Sequence, residues 1–443
     1  MMPLPLQQLA DHLQTLSLRD VPPRRFGRLV THDAGLLEIA GLPVPVLTPL
    51  KVDVADGRSV PAEVVGFRDG RILAMPLCSD SPWTVGGRAM VDGAAGMAHC
   101  GEGLLGRIID AHGRPLDGRP LPELPARWPL AGISANPLDR SRVTQTFDCG
   151  VRAINALLTL GEGQRVAIIA GSGVGKSVLM GQMLAGAECD VIVTGLIGER
   201  AREVSDFVET QLPPDVARRA VIVATAADEA PLLRLKAAMR ATAIAEYFRS
   251  TGKKVLLLLD SLTRVAHAQR EIGLALGEPA ALKGYPPSAL SIIPRLVERA
   301  GGDRKNRGSI TALYTVLADG GDLDDPIVDA ARAIVDGHII LSRNLAEAGI
   351  YPAIDPARSL SRTMNDCTDP AHQAAAGQFR RLWSAHEENR DLILMGAYAP
   401  GNDPLLDEAV VRQTEMRAFL CQPQGVSISY NEGRAALIAG FGA

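Results

Sequence analysis

The sequence predicts an α/β protein in which a largely parallel sheet with helices on both faces follows a small β-barrel and precedes a helical tail. Three observations predict it. From about Gly27 to Gly93 short apolar runs are separated by turn signals. Between about Gly150 and Arg362 β-rich apolar runs alternate with helical stretches. After Pro370 the strand-like runs stop and helical periodicity takes over.

Leu6, Leu9, Leu13 and Leu16 recur at helical spacing with Gln, Asp and His between them, so residues 1–20 read as an amphipathic helix with one greasy face. That face either packs on its own domain or docks on another protein. Residues 21–95 are expected to form the barrel: the runs Val60–Phe67 and Arg71–Met75 lie beside Asp56-Gly57 and Asp69-Gly70, dipeptides that suit tight turns. Pro115, Pro120, Pro122, Pro125, Pro129 and Pro137 then interrupt regular structure and mark a boundary. The apolar runs Arg165–Ile169, Val191–Thr194, Ala220–Thr225, Val255–Leu259, Ile310–Leu317 and His338–Leu341 are the expected strands of a domain spanning 96–368. The tail, 369–443, is expected to be helical, with loops at Ala399–Pro404 and Gln422–Gly425.

Composition narrows the function classes. A hydrophobic fraction of 47% and a charged fraction of 22% describe a folded globular chain. A formal net charge of -4 provides no global attraction to nucleic acid or to an anionic membrane. The six cysteines form no C-x-x-C pair, which fits reduced thiols better than disulfides or a zinc site. The eight histidines are dispersed with no i, i+4 pair, so metal binding through histidine is not expected. Residues 1–18 lack a basic start and a long apolar stretch, and the strongest apolar run, Val255–Leu259, is only strand length, so a cytoplasmic protein is expected. Arg218, Arg219, Arg234, Arg240 and Arg249 lie among aliphatic residues, and we expect a solvated helix face there.

The strongest chemical signal is Ala170-Gly171-Ser172-Gly173-Val174-Gly175-Lys176-Ser177, between an apolar strand and a helix-forming stretch that opens with Val178. Glycines let backbone N–H groups curl around phosphate oxygens, Lys176 supplies a charge to the β- and γ-phosphates, and the Ser177 hydroxyl suits Mg²⁺. Ala170 stands where the motif usually has its first glycine. The run Lys254–Leu259 ends in Asp260, at the same sheet edge as the loop, where a carboxylate can hold Mg²⁺ through water; taken alone, an Asp after a strand is more often a helix cap. Glu199, in Gly198-Glu199-Arg200, follows another strand and is the candidate to polarise an attacking water. By residue type alone a surface carboxylate paired with Arg200 or Arg202 is the commoner case.

In order and spacing, "GEGLLGRIIDAHGRPLDG", "GVRAINALLTLGEGQRVAIIAGSGVGKS", "GLIGERAREVSDFVE", "LLLLDSLTRVAHAQREIG", "GYPPS" and "DGHIILSRNLAEAGIYPAIDPARSLSR" resemble the flagellar and injectisome type III export ATPases, which are similar to the catalytic subunits of rotary ATP synthases. The resemblance covers nearly the whole chain and implies a RecA-like P-loop ATPase core using ATP and Mg²⁺. It implies that Glu199 activates water, that Arg200, Glu203 and Arg264 line the site, and that Tyr351 of "IYPAID" stacks on adenine, with Tyr398 on the pocket's other side. Arg362 of "SLSR" matches the arginine finger that reaches the nucleotide of the neighbouring subunit, which implies a homohexamer; without the resemblance, a surface salt bridge would be preferred. It also implies partners: a regulatory or stator protein at the N-terminal helix, a central stalk protein, the export gate, chaperones and export substrates, at the inner face of the cytoplasmic membrane. "GSGVGKS", "LKGYPPS" and "GAYAPGNDPLLDEA" look more like flagellar members than injectisome ones.

Two rivals remain at this point. A true rotary synthase subunit would need a second, homologous chain to alternate with in its ring. A ring-shaped RNA translocase would need basic residues interleaved with exposed aromatics, which the barrel segment lacks.

Overall fold

The computed structural model describes residues 25–78, 81–93, 96–133, 136–318 and 322–442. The predicted N-terminal helix lies outside them. The chain divides into two compact units, one holding the barrel and the other 94–443 with Leu77–Ser79.

The barrel closes from Phe26–Asp33, Leu36–Ala40, Arg71–Pro76, Ser59–Arg68, Pro49–Asp53 and Arg88–Val91, in that order around the ring. Two of its hairpins turn in two residues, Ala34-Gly35 and Asp69-Gly70, with all four φ values positive. That is the backbone whose twist matches the flanking strands, and it explains why Asp-Gly was an informative signal. Leu29, Leu37, Ile39, Leu50, Val52, Val64 and Ile72 point inward and fill the barrel.

In the second unit the main sheet runs Leu360–Ser361, Gly337–Ile340, Arg165–Ala170, Ser309–Leu317, Lys254–Asp260, Val191–Glu199, Ala220–Ala226 and Arg107–Ile109. These pairings are parallel except for Leu360–Ser361, which runs antiparallel to Gly337–Ile340 at one edge. Helices cover both faces, so the central strands are buried on both sides and read as unbroken apolar runs. The edge strand Arg107–Ile109 is fixed by the buried Arg107, whose Nε and Nη2 donate to both oxygens of Asp117 at 2.7 and 2.9 Å.

Strand Val191–Glu199 is longer than the predicted Val191–Thr194. Within it Gly195 makes room for its neighbour, since a Cβ there would lie 2.4 Å from Leu259 Cδ2.

Helix Pro231–Ser250 corrects another expectation. Arg218 is exposed as predicted, but Arg234, Arg240 and Arg249 are buried. The helix lies against the sheet on one side and is covered by helix Leu262–Ala275 and the ribbon of Met97–Cys100 with Ala126–Pro129 on others. Its guanidinium groups therefore find partners inside the fold: Arg240 donates to Ala111 O at 2.9 Å, Arg249 to Arg299 O at 2.8 Å, and Arg234 to Glu271 at 2.7 Å. A buried charge persists only when it is hydrogen-bonded in this way.

On the same helix Glu246, 2% exposed, accepts from Arg299 Nε and Nη2 at 3.0 and 2.7 Å and from Trp128 Nε1 at 2.9 Å. Glu246→Ala is expected to destabilise the second unit by about 3–5 kcal/mol, because it strands the guanidinium and the indole N–H. Urea unfolding followed by Trp128 fluorescence reads this loss.

The tail forms helices Pro370–Glu388, Arg390–Leu394, Pro404–Val411, Gln413–Leu420 and Tyr430–Phe441. Asp369 and Asp403 cap helices that each begin with proline, and Ser429 with Glu432 completes a capping box. Phe379 gathers Trp383, Phe419 and Phe441 at centroid distances of 6.3, 5.4 and 4.8 Å, and the cluster shares one core with helix Arg152–Leu157.

Candidate functional site

Strand Arg165–Ala170 delivers the chain into the loop 171–175, and helix Lys176–Gly186 leaves it. Gly173 and Gly175 have φ of +77° and +91°, which a side chain rarely tolerates. At Gly175 a Cβ would also touch the Tyr351 ring at 3.4 Å. The loop opens on a cavity of about 400 Å³ lined by Gly171, Ser172, Gly173, Gly175, Lys176, Ser177, Val178, Glu199, Arg200, Glu203 and Arg264, among others. Helix N-terminal N–H groups and a lysine facing such a space suit phosphate. Val174 is buried in the core beneath, so only its backbone is available to a ligand.

Lys176 is ion-paired with Asp260 Oδ1, which also accepts from Thr315 Oγ1. Asp260 ends its strand 4% exposed, and with Lys176, Ser177 and Glu199 it lines an adjoining cavity of about 420 Å³. The sequence thus brought together a lysine, a hydroxyl and a carboxylate from three segments, a donor set suited to phosphate and a hard divalent cation.

Glu199 is aimed into the same space by a bulge. The register with Ala220–Ala226 shifts between Ile197 and Glu199, at Gly198 with φ +68°. A Cβ at Gly198 would crowd Arg234 Cδ and Arg264 Cβ, each at 3.3 Å. Glu199 is 8% exposed, and its Oε1 is buried without a hydrogen-bond partner among the described residues. Burial first, and then the charge of Asp260, push its carboxyl up to about 7, against the pull of Lys176 and Arg264. A buried orphan carboxylate oxygen beside a phosphate cradle is the group whose partner is to be sought in a ligand or water. Arg264 presents an equally orphaned buried Nε, whereas Arg200 is largely exposed and pairs with Glu203 at 3.6 Å.

A third cavity, about 500 Å³, adjoins the loop on the side of Tyr351 and is lined by Gly175, Val178, Gln182, Tyr351, Pro352, Cys421, Gln422, Pro423 and Gln424. Tyr351 stands half exposed, its ring free to take a flat partner. The opposite wall comes from the tail, and sequence reasoning missed it: Gln422–Gly425 looked like a plain loop. That loop is fastened. Arg152 donates to the carbonyls of Ala418, Phe419 and Cys421 at the end of helix Gln413–Leu420, and Gln422 takes the Arg152 N–H, donates to Gly150 O and hydrogen-bonds through its own N–H to Tyr351 O. Tyr398 is not among the residues of this wall; its hydroxyl donates to Asp407 in the tail.

Arg362 lies elsewhere. It follows the edge strand Leu360–Ser361, its N–H donates to Asp336 O, and Asp336 in turn takes Arg165 at the start of the strand that ends in the loop. The length of that strand, roughly 20 Å at about 3.3 Å per residue, separates Arg362 from its own phosphate loop. The side chain is exposed, and its one side-chain hydrogen bond among the described residues is a 3.5 Å bond to Arg332 O.

Residues 150–361 match the model of the ATP synthase alpha/beta family nucleotide-binding domain, and residues 368–439 match that of the T3SS EscN ATPase C-terminal domain. The flagellum-specific ATP synthase of Salmonella typhimurium is 50% identical over 409 residues, covering 90% of each chain. That of Pseudomonas aeruginosa is 48% identical over 434 residues, 97% of this chain and 96% of its own. Among solved structures, the assembled ATPase EscN of the enteropathogenic E. coli type III secretion system is similar with a TM-score of 0.87 at 40% identity, covering 93% of this chain and 99% of EscN. EscN in complex with its central stalk EscO gives 0.84 at 39% identity, with the same coverage.

Proposed function

The chain belongs to the flagellum-specific and type III secretion ATPase family, and from that premise we propose that it works as a homohexameric ring whose ATP hydrolysis energises protein unfolding and export through a flagellar apparatus. The catalytic subunit of a rotary synthase and an RNA translocase are not favoured. That it is an ATPase follows from the family itself.

The single observation that carries the ring is the place of Arg362. It is exposed and a strand's length from its own loop, so it can act on a phosphate only in a neighbouring copy. In the proposed cycle the loop N–H groups and Lys176 take the phosphates, Lys176 giving up Asp260 to do so. Ser177 and, through water, Asp260 would hold Mg²⁺, which supplies neutralisation of the β- and γ-phosphate charge. Glu199 uses its unpaired Oε1 to hold and polarise water opposite the γ-phosphate, with Arg264 beside it. Arg362 of the next subunit stabilises the charge that spreads onto the phosphate oxygens as the bond breaks. Tyr351 stacks on the base; stacking suits any purine, so nucleotide choice is loose.

The complex of EscN with EscO supports a central stalk partner for this chain as well. We further propose a regulatory or stator protein at residues 1–20, contacts with the export gate, chaperones and export substrates, and a cytoplasmic place at the inner face of the membrane. No helix among the described residues is long and apolar enough to cross one. Measuring Mg²⁺-dependent ATPase activity against protein concentration, with mass in parallel, tests the shared site: specific activity is expected to climb as rings form, and a fully active dilute monomer would refute it.

A further inference from the structure

Strand Ser309–Leu317 runs parallel to Lys254–Asp260 at the centre of the sheet and ends beside the phosphate loop. Its Leu313, Tyr314, Thr315 and Val316 are all fully buried. A hydroxyl in that apolar setting is costly unless it is bonded. Thr315 Oγ1 donates to Asp260 Oδ1 at 2.5 Å, with Leu259 O a longer alternative at 3.4 Å. The ammonium of Lys176 shares the same Oδ1, and Oδ2 has no hydrogen-bond partner among the described residues. Once Lys176 turns to a phosphate, Thr315 is the one described donor left on this carboxylate. A charge-assisted bond from a buried strand has little freedom, so it fixes the rotation of the carboxylate as well as its place.

We propose that Thr315 is a positioning residue: by holding Oδ1 it turns the Asp260 carboxylate so that Oδ2 faces the cavity it shares with Ser177, and it thereby sets how tightly a divalent cation is held there. This rests on Asp260 being the carboxylate on the cation's side. Thr315 touches neither phosphate nor base, so its removal acts on the cation and leaves cation-free nucleotide binding as it is.

Mn²⁺ binding to the full-length, ADP-loaded protein, followed by the electron paramagnetic resonance of free Mn²⁺, tests this, with ADP affinity in EDTA measured beside it. Thr315→Val, which keeps the shape and removes the hydroxyl, is expected to weaken Mn²⁺ about tenfold, the loss typical of a bond to a charged group. ADP affinity in EDTA stays unchanged, and Thr315→Ser binds Mn²⁺ like the parent. If Thr315→Val does not fold, Thr315→Ala takes its place. A Val or Ala variant with parental Mn²⁺ affinity overturns the proposal, as does a Ser variant that loses as much as either. Asp260→Asn separates the two levels: if it too leaves Mn²⁺ binding intact, the placing of Asp260 is wrong and the role of Thr315 falls with it, whereas a loss there alone refutes only Thr315.

Discussion

Arg362→Ala is expected to form rings and to lose about 10³-fold or more in ATP turnover, the usual worth of an arginine finger. The side chain is exposed and makes one long side-chain hydrogen bond among the described residues, so little else should suffer from its removal. Mixing distinguishes action across the interface from action within a chain. A Lys176→Ala chain cannot cradle phosphate but still offers its own Arg362, while an Arg362→Ala chain keeps a complete cradle. Rings assembled from both contain interfaces at which the intact cradle of one meets the intact arginine of the other. Turnover is expected to reappear in the mixture well above the sum of the two inactive proteins. A mixture as dead as its parts would show that Arg362 does not act across the interface.

Glu199→Gln is expected to cost about 10²–10⁴-fold in turnover, the range for a positioned base, while nucleotide binding is kept. The same substitution carries a pH signature. Burial and the charge of Asp260 raise this carboxyl from an ordinary value of 4.5 to about 7 in the folded protein. A raised acid favours the folded state while it is protonated in both states, below 4.5, and that contribution drains away as pH climbs to about 7. Glutamine never titrates. Without nucleotide or Mg²⁺, the melting temperature of Glu199→Gln should therefore gain on that of the parent between pH 5 and pH 8. A constant difference across that range would show that Glu199 is not held in the environment described.

The two sites differ in how far the sequence displayed them. The phosphate loop is a local object: strand, glycines, Lys176-Ser177 and helix lie in one stretch, and the structure assembles them as read. Asp260 was legible because a run of leucines ending in a carboxylate can end at only one sheet edge. Glu199 was legible only as a candidate, since its setting depends on the bulge at Gly198, where a side chain would crowd Arg234 and Arg264 from distant segments. The resemblance decided for it where residue type pointed to the surface. The same limit explains the arginines of helix Pro231–Ser250, read as solvated because arginine normally is, yet buried by a ribbon and a helix that local periodicity does not reveal. The wall at Cys421–Gln424 was invisible for a third reason: its place is decided by Arg152 and Tyr351, hundreds and tens of positions away in the chain.

That wall has a mechanical meaning. Arg152 and Gln422 tie the end of helix Gln413–Leu420 to the chain ahead of the phosphate loop, so the tail helices and the cavity beside Tyr351 share one set of hydrogen bonds. Were the tail to take a second position that breaks these bonds, reciprocity would require nucleotide to favour one position by the same free energy by which that position favours nucleotide.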